Sequence, residues 1–389
     1  MTAPASGERI VAEIRRVARE AGAALIAIAD AARSGETFER LAASFARGDL
    51  QTWGYDAAYA ARASDPATIL PGARSVVCVA VSYATPAPRY RAPLHGRVSN
   101  YAWSADYHVA MRASLERIAA AIDALAGEPV TAVACDTAPL AERAFAERAG
   151  LGWIGKHTNL IAPGLGSFVF LGEIVTTLAL PADVPARKSC GSCSRCITAC
   201  PTGALRGDYT IDATRCISDL TQRTDAIPRA ARVALGDWVW GCDLCQEACP
   251  PTQRAGATAS AAFAPREADA AAPALLDLLA LRSGEFKRRY RGTAMGWRGG
   301  AILRRNAAVA LGNGLDRAAV PGLVRALCDD PHPLVRGHAA WALGRIGSPR
   351  ARAALADRAT CENDAGVLEE IAAARSVGNL CGSAGVQAP

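Results

Sequence analysis

Apolar residues recur at helical spacing near the start of the chain, at Ile10, Val11, Ile14, Val17 and Ala18, and the pattern stops near Gly22. Residues 24–29 read as a short buried strand, and a second helix is predicted over 37–47. The run 75–82 (SVVCVAVS) consists of β-branched and small residues and reads as a central strand. A long amphipathic helix follows over 106–125, then a strand over 130–135 and a helix over 139–149 that stops at Gly150. Strands alternating with helices predict an α/β layer domain, taken to extend over residues 1–185.

Beyond residue 252 the pattern changes. Residues 253–272 are rich in Ala, Pro, Thr and charge, and read as a linker. Asn306-Ala-Ala-Val-Ala-Leu-Gly312 then recurs 32 residues later as His338-Ala-Ala-Trp-Ala-Leu-Gly344, with a weaker third copy from Glu370 to Ser376. Pro321 and Pro333 fall between the copies, together with a second helix over 320–327. A helix-pair repeat of this period marks a short HEAT-like solenoid within 253–389. Chance similarity among alanine-rich helices is the competing reading.

At 389 residues the chain fits two or three domains, and only 6% of it is aromatic, which suits helices packed through small side chains. The first nine residues lack the order of a signal peptide, and no apolar run is long enough to span a bilayer, so a cytoplasmic protein is expected. The net charge of +6 is concentrated in residues 282–305, where Arg282, Lys287, Arg288, Arg289, Arg291, Arg298, Arg304 and Arg305 face one acid, Glu285. Such a patch suits a phosphate backbone, although a solvated helical face has the same composition.

Eight of the thirteen cysteines lie between residues 190 and 249. Cys190, Cys193, Cys196 and Cys200 with Pro201 form C-x2-C-x2-C-x3-C-P, and Cys242, Cys245 and Cys249 with Pro250 repeat its second half, Cys216 standing between. This spacing wraps two 4Fe–4S clusters, the last cysteine of each run turning toward the other cube. The expected sets are therefore crossed: Cys190, Cys193, Cys196 and Cys249 for cluster one, and Cys200, Cys216, Cys242 and Cys245 for cluster two. Structural zinc prefers two separated knuckles, and disulfides suit short secreted chains. Cys78, Cys135, Cys328, Cys361 and Cys381 lie outside the runs and are assigned no role. Residues 186–252 thus read as a ferredoxin-like domain.

Beside the first cysteine run, six segments stand out: Asp136-Thr-Ala-Pro-Leu-Ala-Glu142, Ala149-Gly-Leu-Gly-Trp-Ile-Gly-Lys-His157, Gly166-Ser-Phe-Val-Phe-Leu-Gly-Glu173, Arg215-Cys-Ile-Ser218, Gly241-Cys-Asp-Leu-Cys-Gln246 and Arg305-Asn-Ala-Ala-Val-Ala-Leu-Gly-Asn313. Together they resemble the epoxyqueuosine reductases, which complete the tRNA nucleoside queuosine. The resemblance implies an N-terminal α/β cobalamin-binding domain, a ferredoxin-like two-cluster insert and a C-terminal HEAT-like α-solenoid, a mixed α+β and α/β chain. It implies cobalamin, as cob(II)alamin, and two 4Fe–4S clusters as cofactors. The expected partners are tRNA carrying epoxyqueuosine in its anticodon loop and an external low-potential electron donor, with the chain a monomer and no membrane involved.

In this resemblance Asp136 matches the catalytic acid. It follows a predicted strand, where burial would raise its pKa and keep it protonated near neutral pH. Helix capping is the rival role. Lys156, His157, Leu160, Leu171, Thr224, Asp243, Leu244 and His108 match or neighbour cofactor-pocket positions. His108 and His157 are candidates for cobalt ligation or for packed histidines, and Lys156 for the cofactor tail or a carboxylate. Arg223, Arg288, Arg289 and Arg291 are expected to meet tRNA phosphates. The chain departs from the family at Thr224-Asp225, Pro251-Thr252 and Met295-Gly-Trp-Arg298. A small-molecule corrinoid reductase of the dehalogenase kind and a ferredoxin-type carrier with a docking repeat are the alternative readings.

Overall fold

Ser75–Ser82 is buried along its whole length because it lies inside a four-stranded sheet. The structure is a computed structural model describing residues 7–86 and 92–380; Cys381 lies outside them. The strands are Leu25–Asp30 (β1), Ser75–Ser82 (β2), Thr131–Ala134 (β3) and Val169–Thr176 (β4), in the order β1-β2-β4-β3. Every pair is antiparallel. The expected α/β layer is therefore corrected to an α+β arrangement. A continuous apolar run such as β2 fits a parallel strand equally well, so its composition did not decide the direction. Strand β4 escaped the sequence pattern because Gly172 and Glu173 interrupt its apolar run.

Three helices flank the sheet at the positions that matter for the site. Gly7–Glu20 (α1) buries the five apolar residues its periodicity singles out. Tyr107–Ala126 (α2) starts at Asp106, whose carboxylate accepts the His108 N–H, and stops at Gly127 in the left-handed conformation. It crosses β4 at Gly172, where a Cβ would lie 2.5 Å from Leu115 Cδ1, so a larger residue there would make Leu115 shift. Glu142–Arg148 (α3) packs Phe145 and Ala146 with Cys78 and Ala134. Because side chains alternate along a strand, Glu173 points away from α2, toward the α3 side.

The chain forms two compact units, and they do not follow the three consecutive domains expected from sequence. The first takes the chain to Pro86, Asp106–Cys216 and Asp243–Ala264; the second takes Ala87–Ala105, Ile217–Cys242 and everything from Pro265. The ferredoxin-like segment is thus shared between units rather than a body of its own.

In the second unit the helices Gly300–Gly314 (α4), Val320–Asp329 (α5), Pro333–Ile346 (α6), Pro349–Ala359 (α7) and Ala365–Leu380 (α8) form the repeat array. The sequence repeat now has a physical meaning. Its seventh position lets helices touch: a Cβ on Gly312 would meet Ala342 Cα at 2.8 Å, and one on Gly344 would meet Ala374 Cα at 2.8 Å. Its first position is polar in every copy and reaches the segment 217–242. Asn306 donates to Thr221 O and Val239 O, His338 Nε2 accepts from Ile227 N, and Glu370 receives Arg232 and Arg229. Among the described residues no helix is long and apolar enough to cross a membrane.

Arg305 completes this seam. Fully buried, it donates to the carbonyls of Leu220, Thr221, Arg223 and Asp225 and to Asn306 Oδ1. Burial pulls its pKa down to about 9. A lysine has no planar fork with which to satisfy these acceptors. Arg305→Lys is expected to lose about 2–4 kcal/mol of unfolding free energy, the range for stranding buried polar groups. Urea titration followed by tryptophan fluorescence would read this, and an unchanged midpoint would contradict it.

Candidate active site

Strand β3 ends at Ala134, and two residues later Asp136 takes a left-handed conformation with φ of 49°. That is uncommon for a residue with a side chain. The turn is tied by Thr137 N–H to Cys135 O at 2.6 Å and by Asp136 N–H to Glu142 Oε1, from the first turn of α3. So held, the Asp136 carboxylate meets His108 Nε2 at 2.8 Å, while His108 Nδ1 meets Asp106 Oδ1 at 2.7 Å. The Tyr107 side chain gives Asp136 a further hydrogen bond. The Tyr107 ring stacks on His108 at 4.1 Å and on Phe170 at 4.2 Å, with Tyr83 and Phe263 also against Phe170.

The protonation pattern differs from the sequence expectation. Burial does push the Asp136 carboxyl up, but the hydrogen bond and charge of His108, then Tyr107, outweigh it and hold the pKa below the ordinary value. Burial is the largest single influence on the carboxyl, and only its partners acting together overcome it. His108 is raised to about 9, chiefly by its bond to Asp136, against burial and with help from Asp106. The proton of the pair therefore rests on the imidazole at neutral pH. With both ring nitrogens in hydrogen bonds, His108 has none free for cobalt.

Behind this pair lies a second, drier group of acids. Glu173 is fully buried with both carboxyl oxygens unpartnered, and burial followed by the nearby Glu142 raises its pKa well above the ordinary value. It is a neutral acid inside the sheet. Glu142 is raised to about 7, mainly by burial, against the pull of the Asp136 N–H. Tyr107, Glu142 and Glu173 were not singled out as site residues in the sequence. The signal available was Asp136-x5-Glu142, an acid one helical start away from another.

The cysteines of the first expected set are neighbours in space. Cys249 and Cys190 pack with Trp153 and Ile161, and Cys196 feels the charges of Cys190 and Cys249. Cys249 in turn feels Cys190 and Cys193. Among the described residues no three His, Cys, Asp or Glu side chains converge as the ligands of one ion would. Thiolates around a cubane stand further apart, each at its own corner. Backbone N–H groups point at the sulfurs, as cluster thiolates require: Lys156 N–H at Cys190 Sγ, and those of Thr202, Ala204 and Leu205 at Cys200. Cys200, Cys216 and Cys245 belong to the first unit and Cys242 is the last residue of a second-unit segment.

Other expected contacts are revised. Lys156 Nζ donates to Gly191 O at 2.8 Å and Cys193 O at 3.1 Å, tying it to the cysteine loop. His157 is buried, its Nδ1 accepts from Asn159 N, and burial lowers its pKa to about 4. Its Nε2 then carries the ring proton and offers no lone pair to cobalt. Leu160 is core, packed in the cluster that holds Phe145, while Leu171 lies partly buried at its edge. Asp243 is buried and starts the turn Leu244–Glu247; Thr224 is exposed in the second unit. Arg223 is buried against Asp219 and Arg289 is paired with Glu267 and Asp269, so neither is the open phosphate contact expected. Arg304 is likewise held by Asp330. Arg282, Lys287, Arg288 and Arg291 remain exposed.

A helical-repeat tail, an antiparallel sheet and this cysteine set define an iron–sulfur oxidoreductase. Residues 63–137 match the epoxyqueuosine reductase QueG family domain (DUF1730), 189–252 a 4Fe-4S double cluster binding domain and 301–375 HEAT repeats. The epoxyqueuosine reductase of Xanthomonas campestris is 40% identical over 342 residues, covering 86% of this chain and 96% of that one. A solved epoxyqueuosine reductase bound to an epoxyqueuosine-modified tRNA stem loop superposes with a TM-score of 0.89 at 32% identity, over 96% of this chain and all of that one. The Bacillus subtilis enzyme, solved with its catalytic aspartate loop swung out of the active site, gives 0.88 at the same identity and coverage. The chain belongs to the epoxyqueuosine reductase family.

Glu173 generates a test of the buried-acid arrangement. Its folded pKa lies above its unfolded one, so the unfolded chain ionises first and stability falls as pH rises above about 4.5. Glu173→Gln removes that term. The variant is expected to melt above the parent, by a margin that widens as pH rises above about 4.5, at up to ~1.4 kcal/mol per pH unit. A margin constant with pH would contradict a neutral Glu173.

Proposed function

We propose that this chain reduces epoxyqueuosine to queuosine in the anticodon loop of tRNA, with Asp136 as the proton donor. The observation that carries the reading is the His108–Asp136 pair, which keeps one transferable proton at neutral pH beside an open carboxylate. Removing the epoxide oxygen consumes two electrons and two protons, leaves a carbon–carbon double bond and releases water. A proton has to reach the oxygen as the C–O bond opens, because an alkoxide leaves poorly. Asp136 would pass the proton on and be recharged from His108, while Tyr107 and Asp106 fix the acid and the imidazole.

Two 4Fe–4S clusters on the crossed cysteine sets would carry electrons in from an external low-potential donor, one at a time. Bound cobalamin would supply the two-electron chemistry at the epoxide carbon. His157 Nε2 and Gln246 Oε1, both buried without partners, support a polar ligand rimmed by amides in the first unit. Neither His108 nor His157 would offer cobalt a free ring lone pair. Leu171, Asp243 and Leu244 are proposed to line the corrin. A cytoplasmic monomer suits an enzyme acting on free tRNA.

Asp136→Asn is expected to keep its iron and its corrin band and to lose about 10²–10⁴ in single-turnover rate, the usual worth of a positioned acid. In the parent enzyme that rate should stay level through neutral pH and fall above about pH 9, as the pair loses its proton. Full activity of the Asn variant would remove Asp136 from the chemistry.

For RNA, the exposed cations are the relevant ones. Replacing Lys287, Arg288 and Arg291 together by alanine should weaken tRNA binding and flatten its salt dependence, by about 0.7–0.9 in log–log slope per lost phosphate contact. Arg289→Ala, already neutralised by two acids, should leave that slope unchanged. Equal slopes for all three proteins would take this stretch out of the interface.

A further inference from the structure

We propose that Glu142 is a positioning residue for the proton donor: its carboxylate takes the Asp136 N–H and holds that backbone in the left-handed turn that points the acid at His108. This rests on the reading of Asp136 as the donor.

Three observations support it. Asp136 is one of five described non-glycine residues with positive φ, a conformation that costs about 1–2 kcal/mol and needs something outside the residue to maintain it. The hydrogen bonds within the turn, Thr137 N–H to Cys135 O and Leu140 N–H to Ala138 O, leave the Asp136 N–H to be taken by a side chain, and Glu142 takes it. Glu142 is itself fixed, since α3 is anchored by buried Phe145 and Ala146 and Ala141 N–H is tied to Ala63 O at 2.8 Å. The same helix uses a second carboxylate in the same way: Glu147 Oε1 accepts from Ile154 N at 2.7 Å, fixing the next functional segment. Helix α3 thus presents two acids to backbone N–H groups of the chain on either side of it.

If the contact is lost, the turn is free to relax to ordinary φ, and the carboxyl leaves His108. A displacement of about 1 Å at a reacting group costs roughly 10²-fold in rate. Substrate binding is not made by this residue, so the loss should fall on kcat.

Glu142→Met keeps the side-chain bulk without an acceptor, and Glu142→Gln keeps an acceptor oxygen without the charge. The test compares both with the parent as fully reconstituted enzymes, measuring iron content, tRNA affinity and single-turnover rate at saturating tRNA. The Met variant is expected to lose about 10–100-fold in rate at unchanged tRNA affinity and iron content. The Gln variant is expected to recover to within about threefold of the parent. Adding Asp136→Asn to the Met variant should cost far less than it does in the parent, since both act through one group. A Met variant with parental rate, or a Gln variant as slow as the Met variant, would overturn the proposal. An active Asp136→Asn enzyme would instead overturn the donor reading, a different outcome. Should the Met variant not take up iron, the Gln variant and the amide exchange rate of Asp136 in it decide: exchange as slow as in the parent is expected, and fast exchange with lost rate overturns the proposal.

Discussion

A single hydrogen-bonded ion pair, 2.8 Å between His108 Nε2 and Asp136 Oδ2, ties together the parts of the first unit that matter. It joins the first turn of α2 to the turn after β3, and both must be placed before it can form. Gly172 sets how closely α2 lies on β4. Asp106 both caps α2 and fixes the imidazole, so the start of that helix and the state of the pair are one feature. The pair also reverses the role that burial alone would give the acid. A dry carboxyl alone would hold its own proton, whereas here the hydrogen-bonded imidazole holds it.

In the second unit the equivalent constraint is a seam of polar contacts. Asn306, His338 and Glu370 stand one repeat apart and bind successive parts of segment 217–242, with Arg305 filling its carbonyls. Buried polar groups are costly unless satisfied, and here each finds a backbone or ion-pair partner. The small residues of the repeat let the helices close up, and its polar first position decides what the array holds.

Much of this was legible in the sequence, for physical reasons that differ by element. The buried face of α1 and the bounds of β2 follow from periodicity and β-branching, and the structure has both as read. The 32-residue repeat was legible because a solenoid must reuse one packing solution. Strand direction was not, since a doubly buried strand carries no mark of its partners' polarity. The arginine cluster was misread as a single surface because formal charge says nothing of burial. Arg305 is interior, Arg289 and Arg304 are paired, and the open cations are fewer than the composition suggests. Asp136 was found through the family's motif, whereas Tyr107 and Glu142 needed coordinates. Their part depends on a left-handed turn that no residue type at position 136 announces.

On the proposed cysteine assignment, the repeat array bears on the second cluster. The segment it grips begins at Ile217, directly after Cys216, and ends on Cys242. Both cysteines are proposed ligands of the second cluster, and the chain between them is held by Asn306, Arg305, His338 and Glu370. A cluster held by thiolates on a floating loop would lose the fixed N–H···S surroundings that set its potential. Gly241, one residue before Cys242, donates its N–H to Thr221 Oγ1, and the Thr221 carbonyl is in turn held by Asn306 and Arg305. On that assignment, the helical tail would bear on the second cluster through the covalent chain. A ferredoxin-like segment divided between two compact units is the form such a dependence takes.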